Sequence, residues 1–305
     1  MISRNAGIRF VAINRRGYKG STPLSDTDKV IFAEGTDIQK AEWLKSRGLE
    51  ISNFMNSFIV RENLPAISPD GNSGCALLGW SMGCSFTLPA IAYLGDLPSP
   101  VRARLASYLR AHILHGLLHV LLRLGQSLLN FTSEPPTIAF GLPTLPAHLT
   151  LPGTNISEET RSRIIIGWIT SYFQHSGLST HDLCGLDAAP SIIRVPSLWN
   201  MSSDEATDMI DTRPYNAFDN PFLASCRPQA NAVYKAAMFD GIVRDQLPHM
   251  KRWLLVGDAS LPICISALWS VQDDDRAHGG DNVNYKVLPG QNHFVSCYFI
   301  VSVPR

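Results

Sequence analysis

Short apolar runs bounded by turn residues punctuate this chain, and longer stretches of helical pattern lie between them. Residues 9–14 read as a strand, and Cys75-Ala76-Leu77-Leu78 reads as a buried strand after a Gly-rich turn. Arg252-Trp253-Leu254-Leu255-Val256-Gly257-Asp258 is an apolar strand ending in a carboxylate, and Val283 to Leu288 alternates as a further strand. Residues 26–63 are mixed helical, with Lys40 to Lys45 helical in propensity, and Pro65 to Gly74 is a turn-rich connector. Cys84 to Leu94 is small and apolar without a polar break, so a buried helix over 83–94 is expected, kinked at Pro89. A helix over 100–110 would carry Arg102, Arg104 and Arg110 on a solvated face.

From about 143 to 247 strand signals become sparse. Asn155-Ile156-Ser157-Glu158 resembles a capping box, and the helix it opens is expected to run to Ser176 and stop at Gly177. Trp168, Tyr172 and Phe173 lie on it, and Trp199, Tyr215, Phe218 and Phe222 follow in Pro-interrupted chain. Half of these aromatics are expected in the core and the rest along an apolar substrate pocket. The pattern divides the chain into 1–142, 143–247 and 248–305.

Gly79-Trp80-Ser81-Met82-Gly83 stands between the strand ending near Leu78 and the helix from Cys84. A serine between glycines at a strand-to-helix turn is a nucleophile elbow. The turn strains the serine backbone, glycines give it room, and the next N–H, on Met82, faces the place where an oxyanion would form. A hydroxyl needs a base to become a useful nucleophile. His293, in the loop Pro289-Gly290-Gln291-Asn292-His293-Phe294 after the last strand, is that candidate. Asp258, at its strand end, would fix the imidazole tautomer and stabilise the imidazolium.

Serine, strand-end acid and loop histidine in this order resemble the α/β-hydrolase-fold serine hydrolases of the esterase/lipase-like superfamily. Phe10 to Ser21 resembles that family's strand and Arg-Gly-x-Gly-x-Ser turn, although Arg16-Gly17-Tyr18-Lys19-Gly20-Ser21 carries its second glycine one position later. His112-Ile113-Leu114-His115 and Glu134-Pro135-Pro136 resemble two ends of one family element, separated here by Gly116 to Ser133. The resemblance implies an α/β fold, a mostly parallel sheet with helices on both faces, and a helical cap over 143–247. It also implies two or three strands before the Arg-Gly strand and a His-Gly oxyanion loop among them. The chain starts too late to hold these, so it reads as N-terminally incomplete, with Met82 N–H the surviving oxyanion donor.

Blander roles compete. Ser81 could be a small turn residue, and Asp258 could cap a helix starting near Ala259. Glu134 is the weaker alternative acid, and Asp273-Asp274-Asp275 reads as a solvated helix end. His115-Gly116 and His278-Gly279-Gly280 mimic an oxyanion loop but follow Ser81, so they read as decoys. His112, His115 and His119 would share a helical face, but no carboxylate or cysteine accompanies them at zinc-ligand spacing. No metal or cofactor is expected.

Composition narrows the classes that remain. The 305 residues fit one large domain with an insertion. Twenty-six basic and twenty-six acidic side chains cancel, so no footprint for nucleic acid or an anionic membrane is present. Six cysteines are scattered without a Cys-x-x-Cys, against a zinc ribbon or disulfide scaffold. Cys75 and Cys84 read as small core residues. No signal peptide and no membrane span is read, so cytoplasm is the default and the sequons at Asn130, Asn155 and Asn200 carry no weight. The expected activity is hydrolysis of an ester, less readily an amide or thioester, of a small to medium apolar substrate. The alternative is a catalytically impaired or incomplete protein of the same fold acting as a binding module.

Overall fold

In the computed structural model of the chain, residues 8–116, 158–210 and 218–294 are described. Four strands, β1 (Cys75–Trp80), β2 (Leu109–His115), β3 (Lys251–Gly257) and β4 (Asn284–Leu288), form a parallel sheet in the order β1-β2-β3-β4. The helices in chain order are α1 (Asp26–Glu34), α2 (Asp37–Arg61), α3 (Cys84–Ala92), α4 (Ser99–Tyr108), α5 (Glu158–Ile169), α6 (Ser203–Met209), α7 (Asn220–Ser225), α8 (Arg227–Phe239), α9 (Gly241–Asp245) and α10 (Pro262–Ala277). Because all four strands point the same way, the residues that follow them gather along one sheet edge, where α/β sheets place their ligands.

Register sorts the two faces. Leu77, His112 and Arg252 are partners, as are Gly79, Leu114 and Leu254, on the face where α3, α8 and α10 pack, Arg252 Nε donating to Ala237 O of α8. His112 Nε2 meets Thr87 Oγ1 of α3 at 3.0 Å, and Tyr285 Oη donates to Val271 O of α10 at 3.3 Å. On the opposite face Leu78 is 41% and Trp80 36% exposed. Helices were expected on both faces. Among the described residues they cover one, because parallel neighbours in sequential order send crossovers of one hand to one side.

The core is continuous. Phe32 on α1, Trp43 on α2, Phe86 on α3, Phe218 just before α7 and Phe222 on α7 pack edge-on, tilted and, for Phe86–Phe218, stacked, with ring centroids 4.7–6.4 Å apart. α8 packs across α3 and α2. Of the aromatics expected between 143 and 247, Trp168, Tyr172, Phe173, Phe218 and Phe222 are buried, Trp199 is exposed and Tyr215 lies outside the described residues. Among the described residues, no helix is long and apolar enough to cross a membrane.

Several local expectations change. Residues 9–14 form no strand, and Phe10 is 73% exposed. A strand needs a neighbour for its ladder, and no described strand provides one. The turn after it is pinned by side chains instead: Arg15 pairs with buried Asp219 at 3.1 Å, and Tyr18 Oη donates to the same carboxylate. α4 ends at Tyr108 and Arg110 belongs to β2, its guanidinium donating to Ser73 O. α5 stops at Ile169 rather than Ser176. The Thr170 and Ser171 hydroxyls take the carbonyls of Ile166 and Gly167, and Phe173 N turns to Ala259 O at 3.0 Å. Asp275 is buried and accepts from Asn282 N and Nδ2, so this end of α10 is not simply solvated.

Candidate active site

Ser81 follows β1 directly and opens a 3₁₀ turn, Ser81–Gly83, that runs into α3. Its φ is +53°, the left-handed region that a side chain enters only when its surroundings force it. Gly79 is required for that turn. A Cβ there would lie 2.5 Å from Thr87 Oγ1 and 2.7 Å from Cys84 Cα, so α3 could not come so close to β1. Gly83 has no such need, since a Cβ there meets nothing within 4 Å. The glycine before the serine therefore provides the room expected of both. Met82 N–H lies in the first turn, where backbone donors have no intrahelical acceptor.

Asp258 follows β3. Its N–H donates to Leu288 O at 3.2 Å, and its Oδ1 accepts from Gly290 N at 2.6 Å. It does not cap a helix: α10 begins at Pro262 with Leu261 in the capping position. The carboxylate instead ties the end of β3 to the loop that carries His293.

His293 is 3% exposed and sits over the end of β2. Its carbonyl accepts from Trp80 Nε1 at 3.1 Å, linking it to the residue before Ser81. Its ring lies 5.6 Å from the Trp80 ring and 5.4 Å from that of Phe294. Nδ1 faces Cys264 Sγ of α10 at 3.6 Å. Burial, then the nearby His115, pushes the imidazole down to about 3. Among the described residues, no hydrogen bond joins His293 to Asp258 or to Ser81. The elements thus bring the serine turn, the acid and the histidine to one sheet edge and tie the last two through Gly290, without ring-to-carboxylate contact.

Sequence reasoning missed three contributors. Asn292 is 1% exposed; its Nδ2 donates to Thr170 O and Ser197 Oγ, each at 2.7 Å, and its Oδ1 accepts from Phe294 N at 2.9 Å. Its place beside the histidine was the available signal. Gly116, set aside as part of a decoy, has φ +56° and packs on the His293 ring. Cys264 gave no signal, being one small residue in an apolar helix. His278-Gly279-Gly280 forms the turn after α10. His112 and His115 are on strand β2 rather than a helical face; Glu134, His119 and most of Gly116 to Ser133 lie outside the described residues.

No protein-family model and no curated protein matches this chain. Among solved structures it is similar to one from work on the carboxylesterases of the ammonia-oxidizing thaumarchaeon Nitrososphaera gargenis. The identity is 12% and the TM-score 0.27, with 83% of this chain and 66% of that chain covered. This chain therefore spans slightly under two thirds of that one. A likeness at that score carries no weight for fold or chemistry. What stands is a mixed α/β architecture whose parallel sheet gathers a strained serine, a carboxylate and a histidine at one edge.

Proposed function

We propose that this chain is a serine hydrolase of the α/β-hydrolase fold. It would cleave an ester, less readily an amide or thioester, of a small to medium apolar substrate without a cofactor. The observation that carries the reading is the backbone of Ser81, held at φ +53° where a parallel strand turns into a buried helix. Ser73 shares the left-handed φ in an ordinary turn, so what sets Ser81 apart is that its strain falls between a parallel strand and a buried helix, a position of the kind where strain serves function.

Ser81 is the nucleophile, His293 the base and then acid, and Asp258 the acid that steadies the histidine by holding its loop. In the first half, Ser81 Oγ bonds to the acyl carbon as its proton passes to His293 Nε2. The carbonyl oxygen becomes an oxyanion beside Met82 N–H, a donor worth on the order of 10² in rate. The alcohol leaves with the proton from Nε2. Water then attacks the acyl-enzyme, gives its proton to Nε2, and the acid departs as Ser81 recovers its hydrogen. A Ser81–His293 hydrogen bond would form only when substrate enters, as catalytic contacts can be long or unmade without ligand. Residues 143–247 would act as the cap, and exposed Trp199 is the described aromatic there that is left to meet an apolar substrate.

Hydrolysis of p-nitrophenyl acetate and butyrate by the wild type and Ser81→Ala tests the reading. Turnover abolished by the substitution supports it; equal turnover in both rejects it. One observation favours the second reading, a binding module with impaired catalysis: Asp258 spends its Oδ1 on Gly290 and leaves the ring to a neutral sulfur. A folded wild type that binds apolar esters without turning them over would support that reading.

A further inference from the structure

We infer that Cys264 is a positioning residue for His293, the direct partner that selects the imidazole tautomer. The catalytic consequence rests on the hydrolase reading above; the contact does not. Sγ stands 3.6 Å from Nδ1, and both side chains are buried. Sγ also lies 3.9 Å from Gly116 O. Gly116 is why all three groups fit together, since a Cβ there would press into the ring at 2.7 Å from Nδ1.

Two directions fit these distances, S–H donated to Nδ1 or Nδ1–H donated to sulfur, and we assign the second because Gly116 O gives the S–H another acceptor. A thiol donates one hydrogen and accepts weakly, and a carbonyl only accepts. With S–H directed at Gly116 O, a sulfur lone pair is left facing Nδ1. The ring must then carry its proton on Nδ1, which leaves Nε2 bare. That is the form a general base needs: the proton of Ser81 Oγ passes to Nε2 and returns from it, while Nδ1–H stays on sulfur throughout. Asp258 cannot make the same choice from its place on Gly290 N. The titratable groups that face the ring among the described residues are His115 of β2 and Cys264 of α10. Burial raises the thiol to about 12, so sulfur stays neutral.

The test uses the full chain labelled with ¹⁵N-histidine, as wild type, Cys264→Ala and Cys264→Ser. The wild-type His293 ring is expected as the Nδ1–H tautomer, retained in C264S and shifted toward Nε2–H in C264A. With p-nitrophenyl acetate, kcat should fall on the order of 10² in C264A with KM unchanged, and recover in C264S to within about tenfold. A wild-type proton on Nε2, or a C264A ring with unaltered tautomer, overturns the inference. Should C264A fail to fold, the wild-type and C264S tautomers decide. The tautomer is read without turnover, so a chain that never hydrolyses an ester defeats the Ser81 reading and leaves this one intact.

Discussion

Gly116 at the end of β2 lies so close to His293 that a Cβ added to it would stand 2.7 Å from Nδ1 and 2.9 Å from Cε1. Its φ of +56° adds a second objection to any side chain. Gly116→Ala should therefore push the ring out of place. The expected result is a fall in kcat on the order of 10², the cost of a misplacement near 1 Å, with KM little changed. Steady-state kinetics beside a melting curve checks this; an alanine variant with wild-type kcat would show that the ring has room to spare.

Asp258 and His293 are joined through Gly290, which separates two roles for the carboxylate. Asp258→Asn keeps an oxygen for Gly290 N–H, and Asp258→Ala does not. If the side chain works by holding the loop, D258N should retain most of the wild-type kcat while D258A loses it. Equal losses in both would mean that the negative charge itself acts on the imidazolium.

Acid sensitivity follows from two buried rings. Burial pushes both His112 and His293 down to about 3, with Arg252 adding to the first and His115 to the second. Unfolding returns each to about 6.5, so between these values the unfolded chain binds more protons. The stability contributed by each ring is complete above about pH 6.5 and is lost as pH falls toward 3, at up to about 1.4 kcal/mol per pH unit. Urea denaturation from pH 7 to 4 measures it, and His112→Asn should flatten the slope. For activity the sign is the same: His293 stays neutral and able to accept a proton well below pH 6.5, so kcat should show no acidic limb near that value.

Arg15 and Asp219 tie the N-terminal turn to the core, with the carboxylate 3% and the guanidinium 19% exposed. Among the described residues, Arg15→Leu leaves the buried carboxylate with Tyr18 Oη alone, and a loss on the order of 3 kcal/mol is expected. The double variant with Asp219→Leu should recover part of it. A double variant no better than the single would show that packing over Phe86, 4.2 Å from the guanidinium, matters more than charge.

The strands that frame the site were legible because each is an apolar run closed by a turn: β1, β3 and β4 begin and end within about two residues of the sequence reading. The strand-to-helix turn at Ser81 was legible because the period changes there. Residues 9–14 carry the same apolar signal and form no strand, since a sequence pattern does not say whether a ladder partner is present. The end of α5 was misjudged because apolar Tyr172 and Phe173 continue the helical spacing while the Thr170 and Ser171 hydroxyls break it. The Cys264–His293 contact spans 29 residues between a helix and a loop, and only packing could reveal it.

The most direct measurement is covalent. The protein is incubated with a fluorophosphonate, digested, and the modified residue located by mass spectrometry, beside Ser81→Ala and a heat-denatured control. The expected result is one phosphonyl group on Ser81 of the folded wild type and none in either control. A folded wild type that stays unlabelled, or a label that persists in Ser81→Ala, would contradict the assignment of Ser81 as an activated nucleophile.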